Sequence, residues 1–298
     1  MFKLLFGLFL VALMTFTVSA QITEANYRIF DAKGNPATLE QIIESLKNTE
    51  VIFLGENHDD AVAHYLQAEI LKKSFERYGK ERSVLLSLEM FERDVQIVLD
   101  EYLQNLITEN HFISSSRPWA NYKTDYRPLV EFAKANKLPV IAANAPRRYV
   151  NMVSRGGRDA LNSLSPEAKK LLAPLPFGEP SQGYADKFRA LMKGMPESAG
   201  RLENILASQS LWDATMAFWI SEYLKTQKNP LLVHLNGGFH TESRLGTIDH
   251  LFRYSPKARA LVVTLKPDEN FMSFDKTKHE NIGDFVVLTD AKYPKSQR

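Results

Sequence analysis

The chain of 298 residues contains no cysteine. That absence excludes disulfide bridges, thiolate metal sites, a cysteine nucleophile and a lipid attached through an N-terminal cysteine. Stability must come from an ordinary hydrophobic core, and the chain is long enough to bury one large core, or one core plus an inserted lobe. An excess of one charge is also lacking. Lys and Arg number 37 against 35 Asp and Glu, a formal net charge of +2 with the signs interspersed. Nothing in that balance suggests nucleic-acid binding by long-range electrostatics. There is no G-x-G-x-x-G, no glycine-rich loop ending in Lys-Ser/Thr, no G-x-S-x-G and no H-E-x-x-H. The signatures of dinucleotide and nucleotide loops, the serine elbow and the helical zinc site are therefore missing. Internal repeats and low-complexity stretches are missing too.

One apolar run stands out, Leu4 to Thr17, preceded by Lys3 and followed by Val18–Ser19–Ala20 before Gln21. This is the pattern of a secretory signal peptide over residues 1–20, too short for a comfortable membrane span and without a following stop-transfer cluster. The expectation is a soluble, exported chain with no membrane span once the signal is cleaved.

From residue 21 onward strand and helix alternate, the mark of a largely parallel sheet flanked by helices, an α/β fold. Strands are expected at Asn26–Asp31, Glu50–Leu54, Ser83–Leu88 and Leu138–Ala143. Thr38 with Gln41 forms a capping box, and Asp59 or Asp60 caps a helix running to about Tyr78. Helices are expected at Val95–Leu106 and Pro128–Ala135. Between them, Thr108 to Tyr126 is rich in His, Ser, Pro, Trp, Asn and Tyr and reads as a loop of the kind that lines a site. After Pro146 the rhythm breaks. Helices are expected at Arg147–Ser154, Pro166–Leu172, Tyr184–Met192 and Leu202–Lys225, and no strand until Leu231. A short helix near Leu245–Phe252 and strands at Ala258–Thr264 and Asp284–Leu288 complete the chain. The domain reading is a core of residues 21–145 and 228–298, with residues 146–227 as an inserted all-helical lobe.

Two segments echo one another. Val51–Ile52–Phe53–Leu54–Gly55–Glu56–Asn57–His58 and Leu231 to His240 are each an apolar strand, a turn-permitting glycine and then a histidine. In open α/β sheets ligands sit beyond the carboxyl ends of the strands. Such ends would gather Glu56, His58, Glu89, Asn144, Asn236 and His240 in one crevice. Two histidines and one or two carboxylates suit a zinc-like divalent metal site, or a histidine general base held by an acid. Blander roles compete for other residues. Asp59 and Asp60 suit helix caps, Glu89 is placed to pair with Arg93, and His234 sits within its strand as a core histidine. His250 and His279 suit surface or packing positions. The stripe Trp212, Met216, Trp219, Tyr223 has core spacing.

Gly55–Glu56–Asn57–His58–Asp59 followed by His64–Tyr65–Leu66–Gln67 resembles the opening motif of the ChaN-like haem-binding uptake family. Leu88–Glu89–Met90–Phe91–Glu92–Arg93, Ala143 to Tyr149, Ser208 to Asp213 and Gly237–Gly238–Phe239–His240 resemble its other blocks. That family is related to Tiki/TraB and erythromycin-esterase-like proteins. The resemblance implies an exported bacterial protein of iron acquisition, periplasmic or secreted, holding haem at a helical lobe, as a stacked pair within a homodimer. Haem-uptake proteins are its implied partners. Tyr149 is the implied iron ligand and His64 the assisting group. Many relatives are lipoproteins, and a chain without cysteine departs from them there. Phenolate is a hard anionic donor suited to ferric iron. Arg147 and Arg148, with Arg155 and Arg158 beyond, suit haem propionates. Met152, Val153, Phe177, Tyr184, Phe188, Met192 and Met195 offer an apolar surface. The competing expectation is a hydrolase in which His58 is a metal ligand or general base and Glu56, Glu89 and His240 complete the site.

Overall fold

Val51–Glu56 is buried at every position, as expected of a strand covered on both faces. It lies in the middle of an eight-stranded sheet in the computed structural model, which describes residues 22–194 and 199–296. The strands are β1 (Tyr27–Asp31), β2 (Pro36–Ala37), β3 (Val51–Glu56), β4 (Ser83–Glu92), β5 (Val140–Asn144), β6 (Pro230–Gly237), β7 (Ala260–Asp268) and β8 (Phe285–Asp290). Their order is β2-β1-β8-β7-β3-β6-β4-β5. From β8 to β5 all neighbours are parallel, and β1 and β2 add an antiparallel edge. The α/β reading with a largely parallel sheet holds. The signal-peptide reading of residues 1–20, and Met195, lie outside the described residues.

Helices cover both faces. They are α1 (Leu39–Ser45), α2 (Ala61–Tyr78), α3 (Gln96–Leu103), α4 (Glu109–Ser116), α5 (Arg127–Ala135) and α6 (Arg147–Gly156). Then come α7 (Pro166–Lys169), α8 (Gln182–Leu191), α9 (Ala199–Thr226), α10 (Thr247–Tyr254) and α11 (Lys276–His279). Side chains alternate across a strand, so Ile52 and Leu54 join the cluster under α2, α3 and α5, while Val51 and Phe53 join the one under α9 and α10. Thr38 and Gln41 form the capping box reciprocally, and Asp60 caps α2 through Val62 and Ala63.

The segment between β5 and β6 is helical, and α9 ties it to the sheet. The first half of α9 buries Leu206, Ala207 and Leu211 among α6 and α8, and Met216, Ala217 and Ile220 pack on the sheet itself. The stripe Trp212, Met216, Trp219, Tyr223 is part of that core, as its spacing suggests.

Two expectations change. Thr108 to Tyr126 is not one loop: Thr108 caps α4, and a π-turn spans Tyr122–Tyr126. Phe112 stacks on Tyr102 with ring centroids 4.5 Å apart, so tertiary burial outweighs the polar composition. And β4 runs past Glu89 to Glu92, with its register against β5 shifting between Leu88 and Glu92.

Candidate functional site

Strand β6 lies between β3 and β4, so the chain leaves β3 toward one edge of the sheet and leaves β6 toward the other. Such a reversal opens a crevice beyond the carboxyl ends of the strands. Glu56 ends β3 and is buried there. Its Oε1 lies 2.9 Å from His58 Nδ1 and accepts from the Tyr126 hydroxyl at 2.6 Å. Its Oε2 accepts from Gln67 Nε2 at 2.6 Å and lies 3.2 Å from His64 Nδ1. Burial by itself raises a carboxyl pKa, but His64 and His58 outweigh it and bring Glu56 down to about 2. His64 answers in kind. Burial opposes its charge, yet Glu56 and Asp125 raise it to about 9. Tyr126 is pushed well up by burial and by Glu56, and remains a neutral donor.

The second half is built on β6 and α9. His240 Nδ1 lies 2.8 Å from Asp213 Oδ1, which also accepts from the Thr247 hydroxyl at 2.7 Å. Burial disfavours charge on His240, but the Asp213 and Glu89 carboxylates raise its pKa to about 9. Burial likewise opposes charge on Asp213, and His240 outweighs it, lowering its pKa. Glu89 Oε2 accepts from the Gly237 amide at 2.7 Å, and its Oε1 lies 3.8 Å from His240 Nε2. A Cβ on Gly237 would stand 2.8 Å from His58 Nε2 and 3.7 Å from Glu89 Oε2. The backbone there, φ −61° and ψ 134°, suits any residue. The glycine is needed for room.

The crevice opens into a cavity of about 570 Å³. Glu56, His58, Gly237, His240 and Glu242 line its strand side, and Phe188, Leu191, Met192, Ile205 and Phe239 its lobe side. His58, 25 % exposed, also borders a second cavity of about 560 Å³ with Met90, Trp119 and Arg147. Its ring meets Trp119 edge-on, 4.7 Å between centroids.

Glu56, His58, Glu89 and His240 thus come together. Asn144 turns back on the Ala145 amide, and Asn236 braces the turn through the Gly237 carbonyl and the Thr241 hydroxyl. Glu89 takes the Gly237 amide, while Arg93 stacks on Trp219 at 3.6 Å. His64, 4 % exposed, sits behind Glu56 with Nε2 3.3 Å from Asp125. Tyr149 is half-buried on the first turn of α6, beside exposed Arg147 and Arg148. Arg158 is taken up by the Phe177 and Gly178 carbonyls and Glu179. Val153, Phe177 and Tyr184 are closed inside the lobe's own clusters, so they offer no surface. His234 is a core histidine on Ser87, its pKa lowered by burial to about 3. His250 and His279 are packing residues, buried against Ser210 and Asp268. Among the described residues no group of three or more His, Cys, Asp or Glu is placed to hold a metal ion. Sequence reasoning missed Asp213, Gln67, Tyr126 and Asp125 as members of the site. Asp213 and Gln67 lie in the motif blocks, but a helical acid and amide carry no local mark of their partner.

Fold and site together define an α/β protein whose strand-end crevice holds two imidazole–carboxylate pairs beneath a helical segment. Residues 42–251 match the model of the family described as haem-binding uptake, Tiki superfamily, ChaN. The chain belongs to that family. A structure of ChaN from Campylobacter jejuni, described as cofacial haem binding, is similar in fold at a TM-score of 0.64 and 20% identity, covering 89% of this chain and 97% of that one. A mutant of the erythromycin esterase EreC in its open conformation aligns at 0.48 and 12% identity, over 89% and 83%. The type III effector HopBA1 aligns at 0.45 and 12%, over 85% and 93%. No curated protein sequence matches the chain.

Proposed function

We propose that the protein binds haem at the exposed side of α6, with the Tyr149 phenol oxygen as the iron ligand. The observation that carries this reading is the pairing of Tyr149 with Arg148. Arg148 Nη2 donates to the Tyr149 hydroxyl at 3.2 Å, and its guanidinium lies 4.4 Å from the ring centroid. Asp94 holds the guanidinium from the other side. Arginine only donates, so the phenol oxygen keeps lone-pair density for a metal, and the cation offsets the charge of an iron-bound phenolate. What haem supplies is a ferric iron that takes an anionic oxygen as axial ligand. Arg147, exposed at the cavity with Trp119 and Met90, suits a propionate beside an apolar face. The buried pairing of His64 with Glu56 and Asp125 supports an indirect part for it, through Glu56 and His58.

Residues 1–20 would direct export, and no helix among the described residues is long and apolar enough to cross a membrane. A homodimer stacking two haems, and transfer to haem-uptake proteins, complete the reading. Haemin titration tests the ligand. The expected result is a high-spin ferric spectrum with a charge-transfer band toward the red, lost in Tyr149→Phe at unchanged melting temperature. A Tyr149→Phe variant that binds and absorbs as the parent does ends the proposal. Sedimentation with and without haemin reads the dimer.

A further inference from the structure

We propose that the amino-terminal end of the sheet, opposite the crevice, is a docking face for a phospholipid bilayer with anionic headgroups. The cations that the fold gathers there carry it. Strands β7, β3, β6, β4 and β5 are consecutive neighbours and run parallel, so the residues just before each of them share one edge of the molecule. Within five residues of the strand starts, Lys47 precedes β3, Lys80 and Arg82 precede β4, and Lys137 precedes β5. Lys225 and Lys228 precede β6 in the same way, and Lys257 and Arg259 precede β7. Against them in these stretches stand Glu50 and Glu81. Hydrogen bonds knit the starts together. The Glu50 amide donates to the Arg259 carbonyl at 2.8 Å, Asn229 Nδ2 donates to the Glu81 carbonyl at 3.3 Å, and buried Arg82 donates to the carbonyls of Leu46, Thr49 and Pro230.

Neighbouring strands lie about 4.8 Å apart, so the row is about 20 Å long. Every cation in it except Arg82 is exposed. Arg259 is held by Glu50 at 3.4 Å and Lys225 by Glu222 at 2.8 Å. Among the described residues no carboxylate pairs with Lys47, Lys80, Lys137, Lys228 or Lys257. A cation in the last turn of a helix answers the helix dipole, as Lys225 does in α9, but that pull fades beyond the turn. Lys80, Lys137, Lys228 and Lys257 stand past the ends of α2, α5, α9 and α10. The last turns of the helices leading into these strands add Arg77, Lys134 and Arg253 against Glu44, Glu76 and Glu222, which leaves the excess as it is. At the next strand, β8, Glu280 and Asp284 bound the row.

The chemistry of the row selects the partner. Lysine ammoniums are point charges on flexible stems, without the rigid fork that reads one phosphate in a fixed geometry. They suit a surface of many mobile anionic headgroups. Tyr78 and Tyr254 are half-buried, so the row offers no exposed ring on which nucleic-acid bases could stack. Leu46 and Leu138 are buried, so the contact is electrostatic and inserts nothing into the lipid. The opposite end has the other sign at its strand ends: β3, β4, β7 and β8 finish on Glu56, Glu92, Asp268 and Asp290. This asymmetry turns the lysine end toward a negative surface and leaves the crevice and α6 facing away from it. The docking face is independent of haem and of Tyr149.

The test is co-sedimentation with vesicles of phosphatidylglycerol and phosphatidylcholine in equal parts, and of phosphatidylcholine alone. The protein begins at residue 21, which keeps every described element and removes the apolar run at Leu4 to Thr17. It should bind the anionic vesicles and not the neutral ones, and release as NaCl rises from about 20 mM to about 300 mM and the screening length shortens. Lys80→Gln, Lys137→Gln and Lys228→Gln should each weaken binding about fivefold, and the triple charge reversal to Glu should abolish it at an unchanged melting temperature. Lys193→Gln, at an exposed lysine beside the crevice end, should bind as the parent does. Equal binding to both kinds of vesicle overturns the proposal, as does a triple reversal that binds like the parent. A loss in Lys193→Gln equal to that in Lys137→Gln overturns the assignment to this end. Binding to a DNA duplex tighter than to the anionic vesicles at the same salt overturns the assignment to lipid.

Discussion

Replacing Asp213 by Asn keeps the shape of the side chain and removes its charge. The amide oxygen still accepts from His240 Nδ1 and the Thr247 hydroxyl, so the loss is electrostatic. In the parent, burial works against charge on His240, but Asp213 and then Glu89 outweigh it and raise its pKa from an ordinary 6.5 to about 9. The net shift corresponds to about 3 kcal/mol at 1.36 kcal/mol per unit, and because burial works against it the attraction of Asp213 and Glu89 together exceeds that figure. The folded pKa lies above the unfolded one. The contribution is thus complete below pH 6.5 and is lost as pH rises through 9. Urea unfolding followed by circular dichroism at pH 6 and at pH 9.5 reads the difference. Asp213→Asn should lose about 3 kcal/mol at pH 6 and much less at pH 9.5. An equal loss at both values would show that the pair is not held by charge on His240, and would refute the reasoning.

Gly237→Ala should leave the melting temperature nearly unchanged, because the backbone angles suit alanine, yet push the His58 ring, which the added Cβ would approach to 2.8 Å, off the Glu56 carboxylate. A crystal structure of the variant with the ring still 2.9 Å from Glu56 would show that it has no need of that space. Arg82 is buried and donates to the carbonyls of Leu46 at 2.6 Å and Thr49 at 2.5 Å, and to that of Pro230. Arg82→Met should leave these acceptors unpaired and cost about 3 kcal/mol or more in urea unfolding. A loss under about 1 kcal/mol would mean water replaces the guanidinium.

The strand ends were legible because local chemistry marks them. A doubly covered parallel strand must be apolar throughout, as Val51–Leu54 and Leu231–Val233 are, so an acid or imidazole just beyond it announces an edge. Helix starts were legible where a cap side chain is written beside them, as at Thr38, Asp60 and Ser165. Thr108 carried the same mark, but polar composition obscured the helix behind it. Phe112 and Tyr122 show why: their burial depends on partners such as Phe91 and Tyr102, which only the folded chain brings near.

The sequence by itself determined the α/β alternation, the absence of thiol chemistry and the four residues that meet at the crevice, because each follows from spacing or residue type along the chain. The tertiary structure decided what those residues touch. Hydrogen bonds between His240 and Asp213, or Tyr126 and Glu56, join residues far apart in the chain, and only strand order and helix packing bring them within 3 Å. It also decided that His64 is buried behind Glu56 while Tyr149 is half-buried against the lobe's own cluster, since the direction of a side chain is set by what its helix packs against.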